Sequence, residues 1–90
     1  MITGLQIRSA RNALRWTTEQ LAKKAGVTAR TIKRFEAVDD VPPSRSSTLL
    51  EVKGALEAAG IEFIGSPADR PGIRISGTPG RARRGPQSPR

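Results

Sequence analysis

The 90-residue chain contains no cysteine, no histidine and no tyrosine, and its aromatic residues are one tryptophan and two phenylalanines. Each absence removes a class of chemistry. Without cysteine there is no disulfide framework and no thiolate nucleophile. Without histidine as well, the imidazole base and the usual zinc ligand sets are gone. Apolar runs stop at three or four residues, too short for a membrane span. The opening segment, MITGLQIRSAR, lacks the apolar stretch of a secretory signal. Acids are scarce, 8 against 16 lysines and arginines, which leaves a formal charge of +8. The composition therefore predicts a soluble, cytoplasmic protein with no membrane partner, no metal and no cofactor. Its charge asks for a polyanion, and nucleic acid comes first. An enzyme is the weakest reading. Glu51, Glu57 and Glu62 are scattered, and Ser44, Ser46, Ser47 and Thr48 have no base beside them, so catalytic residues are not expected.

What is present divides the chain unevenly. Residues 1–65 hold 10 basic and 7 acidic side chains, whereas residues 66–90 hold 6 basic ones and the single acid Asp69. Residues 76–90, SGTPGRARRGPQSPR, have no apolar side chain larger than alanine. They cannot offset the entropy of ordering and read as a disordered basic tail. The remainder, about 75 residues, is enough for one small core. Four helices are predicted within it. Thr3 with Gln6 is a capping box opening a helix from Gly4 to Leu14 or Arg15, with Ile7, Ala10 and Leu14 on one face. Thr17 with Gln20 opens a second, Thr18 to Lys24 or Ala25, and Thr28 caps a third, Ala29 to Ala37. Pro42 and Pro43 stop the pattern. A fourth helix, Ser47 to Ala59, has Leu49, Leu50, Val52, Ala55, Leu56 and Ala59 as its apolar set, and Gly60 ends it. After it, residues 61–64 and 72–75 read as strands, with the turn formers GSPADRPG, residues 65–72, running up to the first residue of the second.

The informative stretch is LAKKAGVTARTIKRFE, residues 21–36. Two short helices crossing steeply need a small residue where their axes approach, and Ala22 supplies it. They also need a turn residue tolerant of positive φ, and Gly26 is placed for that. Ile32 and Phe35, three apart, turn one face of the third helix inward. Arg30 and Arg34 then point almost opposite, with Lys33 on the flank. A helical hairpin with a merely solvated basic face is the plainer explanation. The conjunction of small residue, glycine turn, two caps and a cationic outer face favours DNA. From Arg8 to Arg34 there are eight basic residues and one acid, Glu19. Arg11 and Glu36 fall on inward faces of the first and third helices, where each charge needs a partner. Trp16 reads as a packing wedge between the first two helices.

The segment IRSARNALRWTTEQLAKKAGVTARTIKRFE resembles the phage-repressor helix-turn-helix regulators, the Cro/cI-type or XRE family. The likeness extends through ALEAAGIEFI and PGIRI, over roughly residues 4–75. It implies a mainly α fold, a phage-repressor-like bundle of four helices with a short C-terminal β-hairpin. Residues 1–60 would form the DNA-binding domain, and 61–75 a strand pair able to serve in dimerisation. The resemblance also implies a recognition helix over 29–37 lying in the major groove, with Ala29, Arg30, Lys33 and Arg34 at base-contacting positions. Ala29 stands where the family often has glutamine and offers only a methyl group. Arg30 suits a bidentate bond to guanine. Phosphate contacts are expected from Arg15, Thr17, Thr18, Lys23, Lys24, Thr28 and Thr31. Thr18 replaces the family's usual glutamine. An Arg–Glu pair between the first and third helices, here Arg11 with Glu36, is a further family feature. The functional expectation is a repressor that binds double-stranded DNA as a homodimer on an inverted repeat. The alternative is an antitoxin or antiactivator-type interaction protein whose hairpin or tail, within residues 61–90, holds a protein partner.

Overall fold

Three threonine caps set the positions of the first three helices in the computed structural model, which describes residues 2–44 and 46–75. The proposed basic tail lies outside the described residues. Thr3 accepts from the Gln6 backbone N–H while the Gln6 side chain accepts from Thr3 N–H at 2.8 Å, and this box opens α1, Gly4–Ala13. Thr17 and Gln20 make the same reciprocal pair ahead of α2, Thr18–Ala25. Thr28 accepts from Thr31 N–H and opens α3, Ala29–Glu36. Gly26 ends α2 with φ of 74°, a conformation glycine adopts without the steric cost of a Cβ. The longest helix, α4, runs Ser46–Ala58. The antiparallel strands β1, Ile61–Ser66, and β2, Asp69–Ile75, follow it.

The core is drawn from all four helices and β1. Ile2 ahead of α1, Ile7 and Ala10 of α1, Leu21 and Ala22 of α2, Ile32 and Phe35 of α3, Leu49, Val52 and Leu56 of α4 and Ile61 of β1 are all buried. Ala22 is buried on α2, the helix that packs against both α3 and α4. Gly4 allows a close approach at the C-terminal end of α3. A Cβ there would strike the carbonyl oxygens of Phe35 and Val38, and its N–H bonds to the Asp40 carbonyl at 2.9 Å. One expected core residue is misplaced. Leu50 is 60% exposed, because Leu49, Val52 and Leu56 define the inward face and residue 50 lies about 130° around the helix from their mean direction.

The hairpin also departs from expectation. The strands continue into the turn-forming stretch and leave Pro67 and Ala68 as the connection. Ile64 pairs with Gly72 and Ser66 with Asp69, so Arg70 and Pro71 together oppose Gly65 in a bulge. Gly65, at φ 75°, approaches the Arg70 carbonyl too closely to carry a Cβ, and Arg70 itself is left-handed at φ 51°. Proline is tolerated at position 71 because it lies in the bulge and has no partner in the ladder. Ile61 is buried, and Phe63 and Ile73, opposite each other, are half-buried. The buried Gln6 donates to the Gly72 carbonyl at 2.8 Å and fastens the hairpin to α1. One capping-box residue therefore serves both a helix start and a tertiary junction.

The end of α1 carries a strained residue. Arg15 N–H bonds to Asn12 O at 3.0 Å and Trp16 N–H to Arg11 O at 3.1 Å, the paired bonds of a Schellman motif, with Arg15 left-handed at φ 59°. Glycine is the usual residue there, since a side chain in that conformation costs about 1–2 kcal/mol. Glycine also has a freer unfolded state, which returns part of the gain. Arg15→Gly is therefore expected to stabilise the domain by about 0.5–1 kcal/mol and raise its melting temperature by a few degrees. The same variant should bind duplex DNA more weakly if Arg15 contributes charge to the interface.

Candidate nucleic-acid interface

The orientation of α3 follows from its buried side. Ile32 and Phe35 are fully buried, and Arg30, Lys33 and Arg34 are exposed on the remaining faces. Arg30, Thr31 and Arg34 line one shallow concavity of the surface. The Arg34 guanidinium carbon lies 5.6 Å from the centroid of the Phe35 ring. Ala29 is half-buried and packs against the core, so its methyl group is turned partly away from the outer surface.

Two side chains from different helices lock the far end of α3. Arg11 Nε donates to Glu36 Oε2 at 2.7 Å and Arg11 Nη2 to Glu36 Oε1 at 3.0 Å, a two-pronged ion pair. Its third branch, Nη1, donates to the Trp16 carbonyl at 2.7 Å and holds the turn between α1 and α2. The Glu36 carboxylate raises the Arg11 pKa above its ordinary value, its hydrogen bond outweighing the opposing effect of burial. Arg8 adds a second tie: Nη1 donates to the Glu36 carbonyl at 2.8 Å and Nη2 meets Asp39 at 3.2 Å. A cation on the C-terminal carbonyls of α3 is favourable both as a hydrogen bond and against the helix dipole. Arg8 and Arg11 thus belong to the scaffold, although the sequence counts them with the cationic stretch.

The groups read as phosphate donors lie at the end of α1, where Arg15 stands, at the starts of α2 and α3, and in one further concavity. Thr17 and Thr28 are the N-caps of α2 and α3. As caps they use an oxygen lone pair and keep a hydroxyl hydrogen to donate. The Thr28 and Thr31 hydroxyls lie 3.0 Å apart, so one proton of that pair is spent internally. Lys23 and Lys24 line a second concavity with Trp16 and Gln20. Lys24 Nζ stands 5.4 Å from the indole centroid, in cation–π range. Trp16 is half-buried and packs one side against the core, the wedge its position suggests.

Glu19 is the site feature that sequence reasoning passed over. It lies 3.8 Å from Lys33 across α2 and α3, and accepts a hydrogen bond from the Thr18 hydroxyl at 3.0 Å. Its backbone N–H, then the Thr18 hydroxyl and more weakly Lys33, hold its carboxyl below the usual glutamate range. Sequence spacing cannot pair residues 19 and 33, which sit on different helices. The one available signal was that Glu19 is the lone acid among eight cations. Among the described residues there is no cluster of metal-ligating side chains, and no helix is long and apolar enough to cross a membrane.

A short helix, a left-handed glycine turn and a second short helix with a cationic outer side constitute a helix-turn-helix DNA-binding domain. Residues 7–44 match a helix-turn-helix family model, and the match supports a likeness to the Cro/cI-type (XRE) regulators. The match supports a DNA-binding transcription regulator in general terms. No curated protein matches the chain.

Proposed function

We propose that the protein is a cytoplasmic repressor that binds an inverted repeat as a homodimer, with α3 in the major groove of each half-site. The observation carrying this reading is the outer side of α3, where Arg30 and Arg34 project opposite the buried Ile32 and Phe35. In this reading Arg30 and Arg34 meet base edges, with Ala29 and Lys33 at the margins of the contact. Arg15, Lys23, Lys24, Thr31 and the threonines that open α2 and α3 meet phosphates. Phosphate contacts set the register and most of the affinity, while arginine on guanine supplies discrimination. Two-fold symmetry would place the half-sites about one helical turn apart, ~34 Å. Ile75, 61% exposed, leaves apolar surface on β2 that favours a second copy or a protein partner at the hairpin. The antitoxin-type reading draws on the same surface.

Selection from a random duplex pool tests this directly. The expected product is a palindromic site with a G in each half and centres separated by about one turn. Recovery of no enriched sequence would refute sequence-specific binding. Enrichment of a single non-palindromic half would refute the dimer and leave the recognition helix standing.

A further inference from the structure

Lys33 is the cation on the flank of α3, and among the described residues it is the α3 cation that faces an acid. Its ammonium lies 3.8 Å from Glu19 Oε2, and the other oxygen of that carboxylate takes the Thr18 hydroxyl at 3.0 Å. Glu19 sits in the first turn of α2. A backbone phosphate binding here would use the same partners: an ammonium, a hydroxyl and the N–H groups at a helix start. The carboxylate thus occupies the position an external phosphate would take relative to Thr18 and Lys33. Glu19 and Lys33 are about two-thirds exposed and Thr18 is half-buried, so no packing demand explains an acid at this point.

We propose that Glu19 is a specificity-determining residue of the DNA face, acting by withholding Lys33 and Thr18 from phosphates. The inference rests on the DNA-binding reading above and assigns a function to its lone acid. Binding to unrelated sequence is almost wholly phosphate attraction, so each cation made available tightens it. On such DNA the domain samples many registers, and a released lysine finds a phosphate in most of them. On the operator, Arg30 and Arg34 fix α3 in one register, and a flanking lysine gains only what that register offers. An acid that engages the flanking lysine therefore lowers non-cognate affinity more than cognate affinity. It leaves the guanine-reading positions of α3 untouched.

The test compares the full chain with its Glu19→Gln variant on the selected operator and on a scrambled duplex of equal length, over a range of salt. Fluorescence of the single tryptophan, Trp16, and electrophoretic mobility report binding. Releasing one lysine should tighten scrambled-duplex binding about fivefold at physiological salt and steepen its log–log salt slope by about 0.9. Operator binding should change less than twofold, so the specificity ratio falls. In a Lys33→Ala background most of the Glu19→Gln gain should vanish. Thermal melting establishes that the variants fold, and Glu19→Ala supplies a second neutral replacement. Equal tightening on both duplexes, no tightening, or a gain that persists in full without Lys33 would each overturn the role of Glu19 while leaving DNA binding intact. If the unsubstituted chain bound neither duplex, or both alike, the functional reading and this inference would fall together.

Discussion

Glu36→Ala is expected to destabilise the domain by about 3–5 kcal/mol, the loss typical when one partner of a buried ion pair is removed. The reason lies in what remains. Arg11 keeps a side chain only 15% exposed, and two of its donors lose the carboxylate oxygens at 2.7 and 3.0 Å. A guanidinium cannot shed its proton to escape this, because its pKa is far above any working pH. A domain of this size has roughly 4–11 kcal/mol in hand. The melting temperature should therefore fall by on the order of 15–30 °C, toward the smaller figure because some water reaches Arg11. Thermal unfolding followed by circular dichroism measures it. A shift of only a degree or two would mean that Arg11 relaxes outward and that the pair does not hold α3.

A double replacement separates charge pairing from packing. Arg11→Met with Glu36→Leu removes both charges and fills similar volume, and apolar substitutes for buried pairs are often neutral or stabilising. Here the recovery should be incomplete. Arg11 also donates to the Trp16 carbonyl at 2.7 Å, and methionine leaves that oxygen without its protein donor. The arrangement links the pair to the placement of α3 as well as to stability. One arginine joins the end of α1, the turn that follows it and the end of α3. In the proposed mode of binding, the angle at which α3 would meet DNA is set by residues that lie away from its outer face.

Local rules make the helices legible. A threonine followed three residues later by glutamine marks the start of α1 and α2, because both halves of a capping box lie within four residues. Glycine at 26 and inward Ile32 and Phe35 likewise make the turn and the outward course of Arg30 and Arg34 readable without coordinates. What is illegible depends on contacts between distant residues. Arg8 looks like another free cation until the α3 C-terminus is seen 2.8 Å from it. Gln6 reads as a cap, and its second bond to Gly72 belongs to a hairpin 66 residues away. Glu19 has no local partner in Lys33, and Leu50 counts as apolar although its face turns outward. The hairpin is misjudged for a different reason. Gly, Pro, Ser and Asp signal a turn wherever they occur, yet a bulge allows the same residues to stay in paired strands.

Arg30→Ala carries the second large effect, and it falls on sequence discrimination rather than on the fold. Arg30 is exposed on α3, so truncation should leave thermal stability within about 0.5 kcal/mol. A bidentate arginine–guanine contact discriminates by about 1–3 kcal/mol. A symmetric dimer makes that contact twice, which puts the loss on the operator at about 2–6 kcal/mol, or roughly 30-fold to 10⁴-fold in affinity. Alanine also removes a charge, which by itself weakens binding to every sequence. Arg30→Lys resolves the two contributions. Lysine keeps the charge but has no planar fork, so it should preserve scrambled-duplex affinity and salt slope while losing most of the operator preference. Repeating the duplex selection with the lysine variant should then abolish the guanine requirement at one position per half-site and retain the others. If instead lysine restored full operator binding, or alanine weakened all duplexes equally, Arg30 would be a phosphate contact. Arg34, the other outward arginine of α3, would then be left to carry the base reading.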